Sequence, residues 1–243
     1  MIKCNNCNEV YNFKVNFCST CGNEIKPHKN TAKLNLNHII AFYISILIYL
    51  GVSFYISDYY PNNLLVEIIS EFLFLLLVCV FSSFNYKELS KLFKLPKVDN
   101  WLILFITLTF INAFIVYYGI DIINKFIDAD FISDNYYAKY LYTETPLFWS
   151  VVFLAILPPI FEELAFRGYL FSELIKISSI KVTIVITSFL FALIHLSMIS
   201  FLWIFPFGIF LGYLRWRYNT LLIPMLIHFI HNLIVVLLDY YNY

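Results

Sequence analysis

Long apolar segments separated by short polar stretches fill the chain from residue 38 onward. An α-helix needs about twenty apolar residues to cross the hydrocarbon core of a bilayer, and runs near that length occur at 38–57, 64–84, 101–120, 147–171, 181–198, 199–215 and 220–238. Almost no loop separates the fifth run from the sixth, so these two form either a tight helical hairpin or a pair whose boundary lies elsewhere. The pattern predicts an all-α fold, a polytopic membrane helical bundle of about seven spans.

Composition supports this fold class. Apolar residues make up 61% of the chain and aromatic residues 20%, and the mean hydropathy is +0.76, values above those of a soluble domain. The first residues are polar and include cysteine, so no cleavable signal peptide is expected. The formal net charge is zero, which argues against a polyanionic partner, and no nucleic acid is expected to bind.

The distribution of basic residues predicts the orientation of the spans. Fourteen of the sixteen lysines and arginines fall on one side, on the N-terminal arm and the alternate loops after it, while the other two are Lys125 and Lys139. The opposite-side loop 121–146 is acidic. Because basic residues are retained on the cytoplasmic side, we expect a multi-pass protein of a bacterial cell membrane with its N-terminus in the cytoplasm.

Four cysteines near the N-terminus occur as Cys4-x2-Cys7 and Cys18-x2-Cys21. Four thiolates in two closely spaced pairs suit tetrahedral zinc, and about twenty residues cannot build a core without such a ligand. Two disulfides in an exported module are the alternative, which a reducing compartment disfavours. The segment resembles the zinc-ribbon modules that bacterial membrane proteins carry at their N-termini. We expect a structural zinc ion here and a possible protein partner at the module.

These features divide the chain into four parts. We assign residues 1–25 to the zinc-ribbon module, 26–37 to a basic juxtamembrane linker, 38–146 to N-terminal membrane helices and loops, and 147–240 to a catalytic membrane core. The last part is distinguished by ionisable residues inside its apolar runs, which are costly in a bilayer and therefore predict a functional site.

Two adjacent carboxylates, Glu162 and Glu163, lie with Arg167 in the fourth apolar run. Consecutive residues on a helix point about 100° apart, so the two carboxylates cannot face one spot, and the arginine can fold back to pair with one of them. One carboxylate is then free for chemistry while the other is held. Pro158 and Pro159, one turn earlier, weaken the backbone hydrogen bonding of the helix.

Histidines on two later runs complete a set of acid, base and polar donor groups. His195 ends the fifth run, one turn after Phe191, and His228 and Asn232 lie one turn apart in the last run. A single histidine in a membrane helix is often only an interhelical contact, which is the alternative for His195. We assign His231 a structural role and give no chemistry to the other carboxylates in the membrane, Glu67 and Glu71.

Taken in order along successive spans, the motifs Glu162-Glu163-x3-Arg167, Phe191-x3-His195 and His228-x3-Asn232 resemble those of the CPBP family of intramembrane proteases. That family includes the CAAX prenyl endopeptidases and bacteriocin-processing or bacteriocin-immunity membrane proteins. The resemblance covers about residues 147–238 and implies that Glu162 activates a water against a peptide carbonyl while His195 assists proton transfer. It further implies that Glu163 and Arg167 hold the charge network and that His228 and Asn232 stabilise the oxyanion.

The sequence allows catalysis either with a metal ion or without one. Glu162, His195 and His228 are suitable ligands for a zinc ion, as in a metalloprotease. The family resemblance also allows a metal-free glutamate mechanism, and the chain has no His-Glu-x-x-His helix to decide between the two. We favour the metal-free mechanism.

The expected function is that of a CAAX-like intramembrane endopeptidase acting on a peptide or membrane-protein substrate, in contact with membrane lipid. Nothing legible in the chain indicates a prenylated substrate, and the fused module and the Asn-, Ile- and Lys-rich composition favour a bacterial regulatory or immunity-type protease. A non-catalytic membrane scaffold or immunity factor is the alternative. A transporter that relays protons through buried carboxylates is weaker, because no internal repeat is visible.

Overall fold

A computed structural model describes residues 2–4, 6–11, 17–23, 25, 29–127 and 135–243. Part of the predicted linker, 26–28, and part of the acidic loop, 128–134, therefore lie outside the described residues. Two short strands, β1 (Ile2–Lys3) and β2 (Val10–Tyr11), pair antiparallel in the N-terminal module. The described remainder is built mainly from helices.

The helices in chain order are α1 (Lys29–Tyr59), α2 (Leu64–Ser83), α3 (Tyr86–Leu89), α4 (Asn100–Ile127), α5 (Pro146–Leu174), α6 (Ile180–Leu193), α7 (Met198–Tyr218) and α8 (Leu222–Tyr241). Short 3₁₀ turns lie at Ser90–Leu92, directly after α3, and at Ala138–Tyr140, before α5. Six helices within the described ranges are long and apolar enough to cross a membrane, and α6 is apolar but shorter. The predicted all-α, multi-pass membrane bundle is confirmed.

The fifth and sixth apolar runs form a helical hairpin of α6 and α7. Close packing is possible because Gly208 and Gly212 face α6, where an added Cβ would come within 3.1 Å of the Ser188 Cβ and 3.2 Å of the Ile184 Cγ2. Helix α6 has 14 residues, which span about 21 Å, less than the ~30 Å hydrocarbon core. The turn after α6, which contains His195, therefore lies at membrane depth.

Helix α5 is irregular, and its irregularity exposes a backbone carbonyl. Its turns widen to π-helical geometry at Val151–Ile156 and Leu164–Leu170, on either side of an α-helical segment. The carbonyl of Leu154 would normally accept from the N–H four or five residues later, but both positions are prolines and have no N–H. The Leu154 oxygen accepts a hydrogen bond from Asn232 Nδ2 of α8 at 2.9 Å instead.

Two apolar clusters hold the bundle together. In the first, α1 and α2 pack on α5, with the ring of Phe42 in edge contact with Phe81 and Tyr169. In the second, α4 and α7 pack on α8 around Leu211 and Ile227. Helix α5 and α6 contribute to the first cluster and α7 to the second, so the irregular helix is covered by its neighbours.

Candidate active site

A buried ion pair forms the base of the site. Arg167 Nη1 donates to Glu163 Oε1 at 2.9 Å, and neither side chain is accessible to solvent. The guanidinium also donates from Nη2 to the Gly208 carbonyl of α7 at 3.1 Å and lies 4.2 Å from the centroid of the Phe191 ring. The two residues meet because positions four apart share one face of α5. The pair therefore ties α5 to both arms of the α6–α7 hairpin.

His228 joins this pair from helix α8. Its Nδ1 lies 3.0 Å from Glu163 Oε1, which also accepts from Arg167. A carboxylate oxygen can only accept here, so Nδ1 carries the proton and the ring orientation is fixed. The other ring nitrogen, Nε2, lies 3.9 Å from Glu162 Oε2. Glu163 therefore holds the imidazole that faces Glu162.

The two adjacent carboxylates differ in accessibility. Glu162 keeps 17% of its side chain accessible, whereas Glu163 keeps none. Glu162 lines a cavity of about 300 Å³, and Glu163 and Arg167 lie beneath its wall. One carboxylate is thus held in the protein interior and the other is presented to a space that a ligand can enter.

His195 faces the same cavity from the turn after α6. Its Nδ1 lies 3.0 Å from the Phe191 carbonyl. A carbonyl only accepts, so Nδ1 carries the proton and Nε2 keeps its lone pair. The ring packs edge-on against Phe191, with 5.1 Å between centroids. His195 therefore presents an acceptor nitrogen, which is the form that a proton-transfer group needs.

Asn232 lines the cavity and is fixed by the carbonyl that the two prolines expose. One of its two amide hydrogens is used in the bond to Leu154, and the second hydrogen remains for a ligand. The sequence-predicted residues Glu162, His195, His228 and Asn232 thus line one cavity, and Glu163 and Arg167 support it from below. All six come from α5, α8 and the hairpin.

The cavity wall also contains His231, for which the sequence predicted a structural role, and Asn112 and Trp203, which the sequence did not single out. His231 lies 4.7 Å from the Phe207 ring, and its Nδ1 is 3.5 Å from Asn112 Nδ2 of α4. Trp203 of α7 lines the cavity with its indole Nε1 buried and without a hydrogen-bond partner among the described residues. Asn112 could have been found in the sequence, because it is the single amide side chain inside the third apolar run. No pattern singled out Trp203 from the other aromatic residues.

The remaining membrane carboxylates, Glu67 and Glu71, do not line this cavity. Glu67 Oε1 lies 3.2 Å from Lys139 Nζ, so it joins α2 to the segment that precedes α5. This contact places Glu67 at the end of α2 away from the N-terminal module.

The four N-terminal cysteines form a group that can hold a metal ion. Their sulfur atoms lie within 4.8 Å of one another, with 3.6 Å between Cys4 and Cys21 and 3.3 Å between Cys7 and Cys18. Within the described part of the chain, this convergence of ligand atoms is found at the cysteines and not at Glu162, His195 and His228.

Comparison with known protein families gives a match to part of the chain. The family model described as type II CAAX prenyl endopeptidase Rce1-like matches residues 144–234. The resemblance inferred from the three motifs is thereby confirmed for that segment, which contains all six predicted residues of the membrane site. The N-terminal module and helices α1, α2 and α4 lie outside the match. Searches of curated proteins and of solved structures gave no match.

Proposed function

We propose that this chain is an endopeptidase that hydrolyses peptide bonds inside the membrane through a water activated by Glu162. The observation that carries the proposal is the convergence of Glu162, His195, His228 and Asn232 on one cavity, above the buried Glu163–Arg167 pair. Ionisable groups are costly in a bilayer and are retained where they act on a substrate. The match of residues 144–234 to a family of endopeptidases supports the same reaction.

In the proposed reaction, a water in the cavity attacks the carbonyl carbon of the scissile peptide bond and gives its proton to Glu162. The C–N bond then breaks, and the amine leaves with a proton transferred from Glu162 or through His195. His195 is suited to this transfer because its Nε2 can accept a proton while Nδ1 stays bound to Phe191. The products are a carboxylic acid and an amine, and Glu162 returns to its carboxylate form, so atoms and charge balance without a cofactor.

The charges of the site explain how the oxyanion is stabilised. Arg167 pairs with Glu163, so Glu162 is the carboxylate of the site that has no arginine partner. When Glu162 takes the proton, the negative charge moves to the oxygen of the tetrahedral intermediate. That oxygen can accept from the free amide hydrogen of Asn232, and from His228 Nε2 when that nitrogen carries a proton. The negative charge thus stays beside donors already fixed by Glu163 and Leu154, which is the arrangement that lowers a barrier most.

The proposal is tested with purified protein in lipid nanodiscs and two probe peptides. One is a farnesylated peptide ending in a CAAX sequence and the other is the same peptide without the prenyl group, with new termini identified by mass spectrometry. Cleavage of the farnesylated peptide alone assigns the prenyl endopeptidase activity named by the matched family, and cleavage of both assigns a broader peptidase. Binding of the probes without any new terminus would favour the non-catalytic scaffold.

Trp203 is expected to hold the backbone of the substrate. Its buried indole N–H has no described partner, and a peptide carbonyl in the cavity would satisfy it. Replacing Trp203 with phenylalanine keeps the ring and removes the donor, so we expect KM to rise about tenfold with little change in kcat. Trp101→Phe is the matched control, because Trp101 is exposed and lies outside the cavity. An unchanged KM in Trp203→Phe would remove this role.

The cysteine group is proposed to hold structural zinc, for which four thiolates are the preferred ligand set. We expect Cys7→Ser to lose one equivalent of zinc, measured by atomic absorption, and to make the module sensitive to limited proteolysis. Cys79→Ser is the matched control, because Cys79 is exposed on α2, away from the group. Equal zinc content in both variants would contradict the assignment. The excess of basic residues on one side of the spans further supports a bacterial cell-membrane protein whose N-terminal module lies in the cytoplasm. There the module would be available to a protein partner.

A further inference from the structure

A second cavity lies between the N-terminal module and the adjacent end of the helical bundle. It has a volume of about 750 Å³ and is separate from the candidate active site. One wall comes from the module, and the others come from the segment around α3 and from the ends of α5 and α7. The cavity is therefore located where membrane helices end, at the depth of lipid headgroups if the bundle spans a bilayer.

Five basic side chains line this cavity: Lys91, Lys94, Lys176, Arg215 and Arg217. Three of them have carboxylate partners. Lys91 pairs with Glu88 at 3.0 Å, Lys176 pairs with Glu173, and Arg217 pairs with Asp99 at 3.3 Å.

Lys94 and Arg215 form no salt bridge with any carboxylate in the described ranges of the chain. Glu9 of the module also lines the cavity, and it likewise pairs with no described cation. The cavity thus contains two cations and one carboxylate that are not neutralised by a close partner.

Arg215 is 93% buried, whereas Lys94 is exposed. The Arg215 Nε donates to the Arg167 carbonyl and its Nη1 to Asn219 Oδ1, both at 3.1 Å, and its guanidinium lies 5.3 Å from the Phe171 ring centroid. Its Nη2 has no hydrogen-bond partner among the residues that the structure describes, and it is not among the fully buried polar atoms, so it is open to the cavity. Since no described carboxylate neutralises this arginine, an anion beside Nη2 would stabilise it.

We infer that this cavity binds the phosphate of an anionic lipid headgroup, with Arg215 and Lys94 as the charged ligands. A guanidinium presents paired donors that fit phosphate oxygens, and a lysine adds a point charge. Basic pockets between the ends of membrane helices are a recurrent site for acidic headgroups. Free phosphate shares this chemistry, and a comparison of phosphatidylglycerol with inorganic phosphate separates the two sources.

The site would be coupled to the candidate active site through one backbone group. Arg215 Nε binds the carbonyl of Arg167, and the side chain of Arg167 holds Glu163. An anion that fixes Arg215 would therefore fix the backbone of α5 at Arg167, whose side chain holds the Glu163 that orients His228. This consequence rests on the proposed function, whereas binding of the lipid does not.

The test measures binding by calorimetry with the full chain purified in a neutral detergent. The probes are dioctanoyl phosphatidylglycerol, dioctanoyl phosphatidylcholine and inorganic phosphate. We expect saturable binding of the phosphatidylglycerol, at least tenfold tighter than phosphatidylcholine. Lys94→Met should weaken it about tenfold, and Arg215→Met should weaken it at least as much. Lys97→Met is the matched control, because Lys97 follows in the same loop, is exposed and does not line the cavity.

Equal weakening in Lys94→Met and Lys97→Met would show general surface attraction and would overturn the site. Binding of inorganic phosphate with no preference for phosphatidylglycerol over phosphatidylcholine would overturn the lipid assignment. If Arg215→Met fails to fold, the exposed Lys94→Met still decides the result. Binding of phosphatidylglycerol is measured again in Glu162→Gln, which is expected to lack peptidase activity. The lipid-binding test therefore does not depend on whether the chain cleaves peptides. If peptidase activity is present, phosphatidylglycerol should raise it in the native chain and not in Lys94→Met.

Discussion

Replacing Glu162 with glutamine is expected to lower kcat for peptide cleavage by about 10²–10⁴-fold, the usual contribution of a general base. Glutamine keeps the size of the side chain, but it cannot accept the proton of the attacking water. Because Glu162 lines the cavity and makes no hydrogen bond within the described chain that holds the fold, the variant should unfold at nearly the native temperature. The measurement is the initial rate of farnesylated-peptide cleavage in nanodiscs, with the unfolding temperature measured on the same sample.

The matched control for this variant is Glu67→Gln. Glu67 is also a partly buried carboxylate in a membrane span, but it contacts Lys139 and does not line the cavity. We expect its cleavage rate to stay within a few-fold of the native rate. Native activity in Glu162→Gln would eliminate the glutamate mechanism. Loss of activity in both variants would show a general effect of membrane carboxylates on folding or insertion.

The second large effect is expected for Arg167→Met, which should destabilise the fold by about 3–5 kcal/mol, the cost of breaking a buried ion pair by removing one partner. The substitution leaves the inaccessible carboxylate of Glu163 with His228 as its remaining partner and removes the side-chain donor to the Gly208 carbonyl. It should also abolish cleavage, because Glu163 would no longer hold His228 in place. Thermal unfolding in detergent and peptide cleavage are the two measurements.

Two further variants give this prediction its controls. Arg217→Met removes a partly exposed arginine paired with Asp99, and such a pair contributes about 0–1 kcal/mol. The double substitution Glu163→Gln with Arg167→Met removes both charges, so it should recover part of the stability lost in Arg167→Met. A native unfolding temperature in Arg167→Met, or no recovery in the double variant, would contradict the assignment of a coupled buried pair.

The membrane bundle was predictable from local sequence because the requirement for it is local. A segment in the hydrocarbon core must be apolar and must satisfy its own backbone, so run length alone predicts a helix. The spacing of the cysteines was similarly sufficient to predict that their four sulfur atoms come together in a group that can hold a metal ion. Periodicity also predicted that Glu162 and Glu163 take different roles, since neighbours on a helix point in different directions.

The assignment of those roles depended on contacts between distant segments. Which carboxylate is held was decided by Arg167 together with His228 of α8, and which one faces the cavity followed from that pairing. Asn232 is oriented by the Leu154 carbonyl, which is free because two prolines follow it four and five residues later. The presence of the prolines was visible in the sequence, but the donor that replaces the missing N–H comes from another helix.

The sequence alone therefore determined that the chain is a helical membrane protein with an N-terminal cysteine group and a set of ionisable residues resembling those of intramembrane proteases. Only the tertiary structure decided that four of those residues share one cavity, that Trp203 and Asn112 complete its wall, and that Arg215 in the wall of a second cavity donates to the backbone of Arg167. The physical reason is that apolar run length and helical spacing are properties of neighbours along the chain. Burial, hydrogen-bond partners and unpaired charge depend instead on which helices meet.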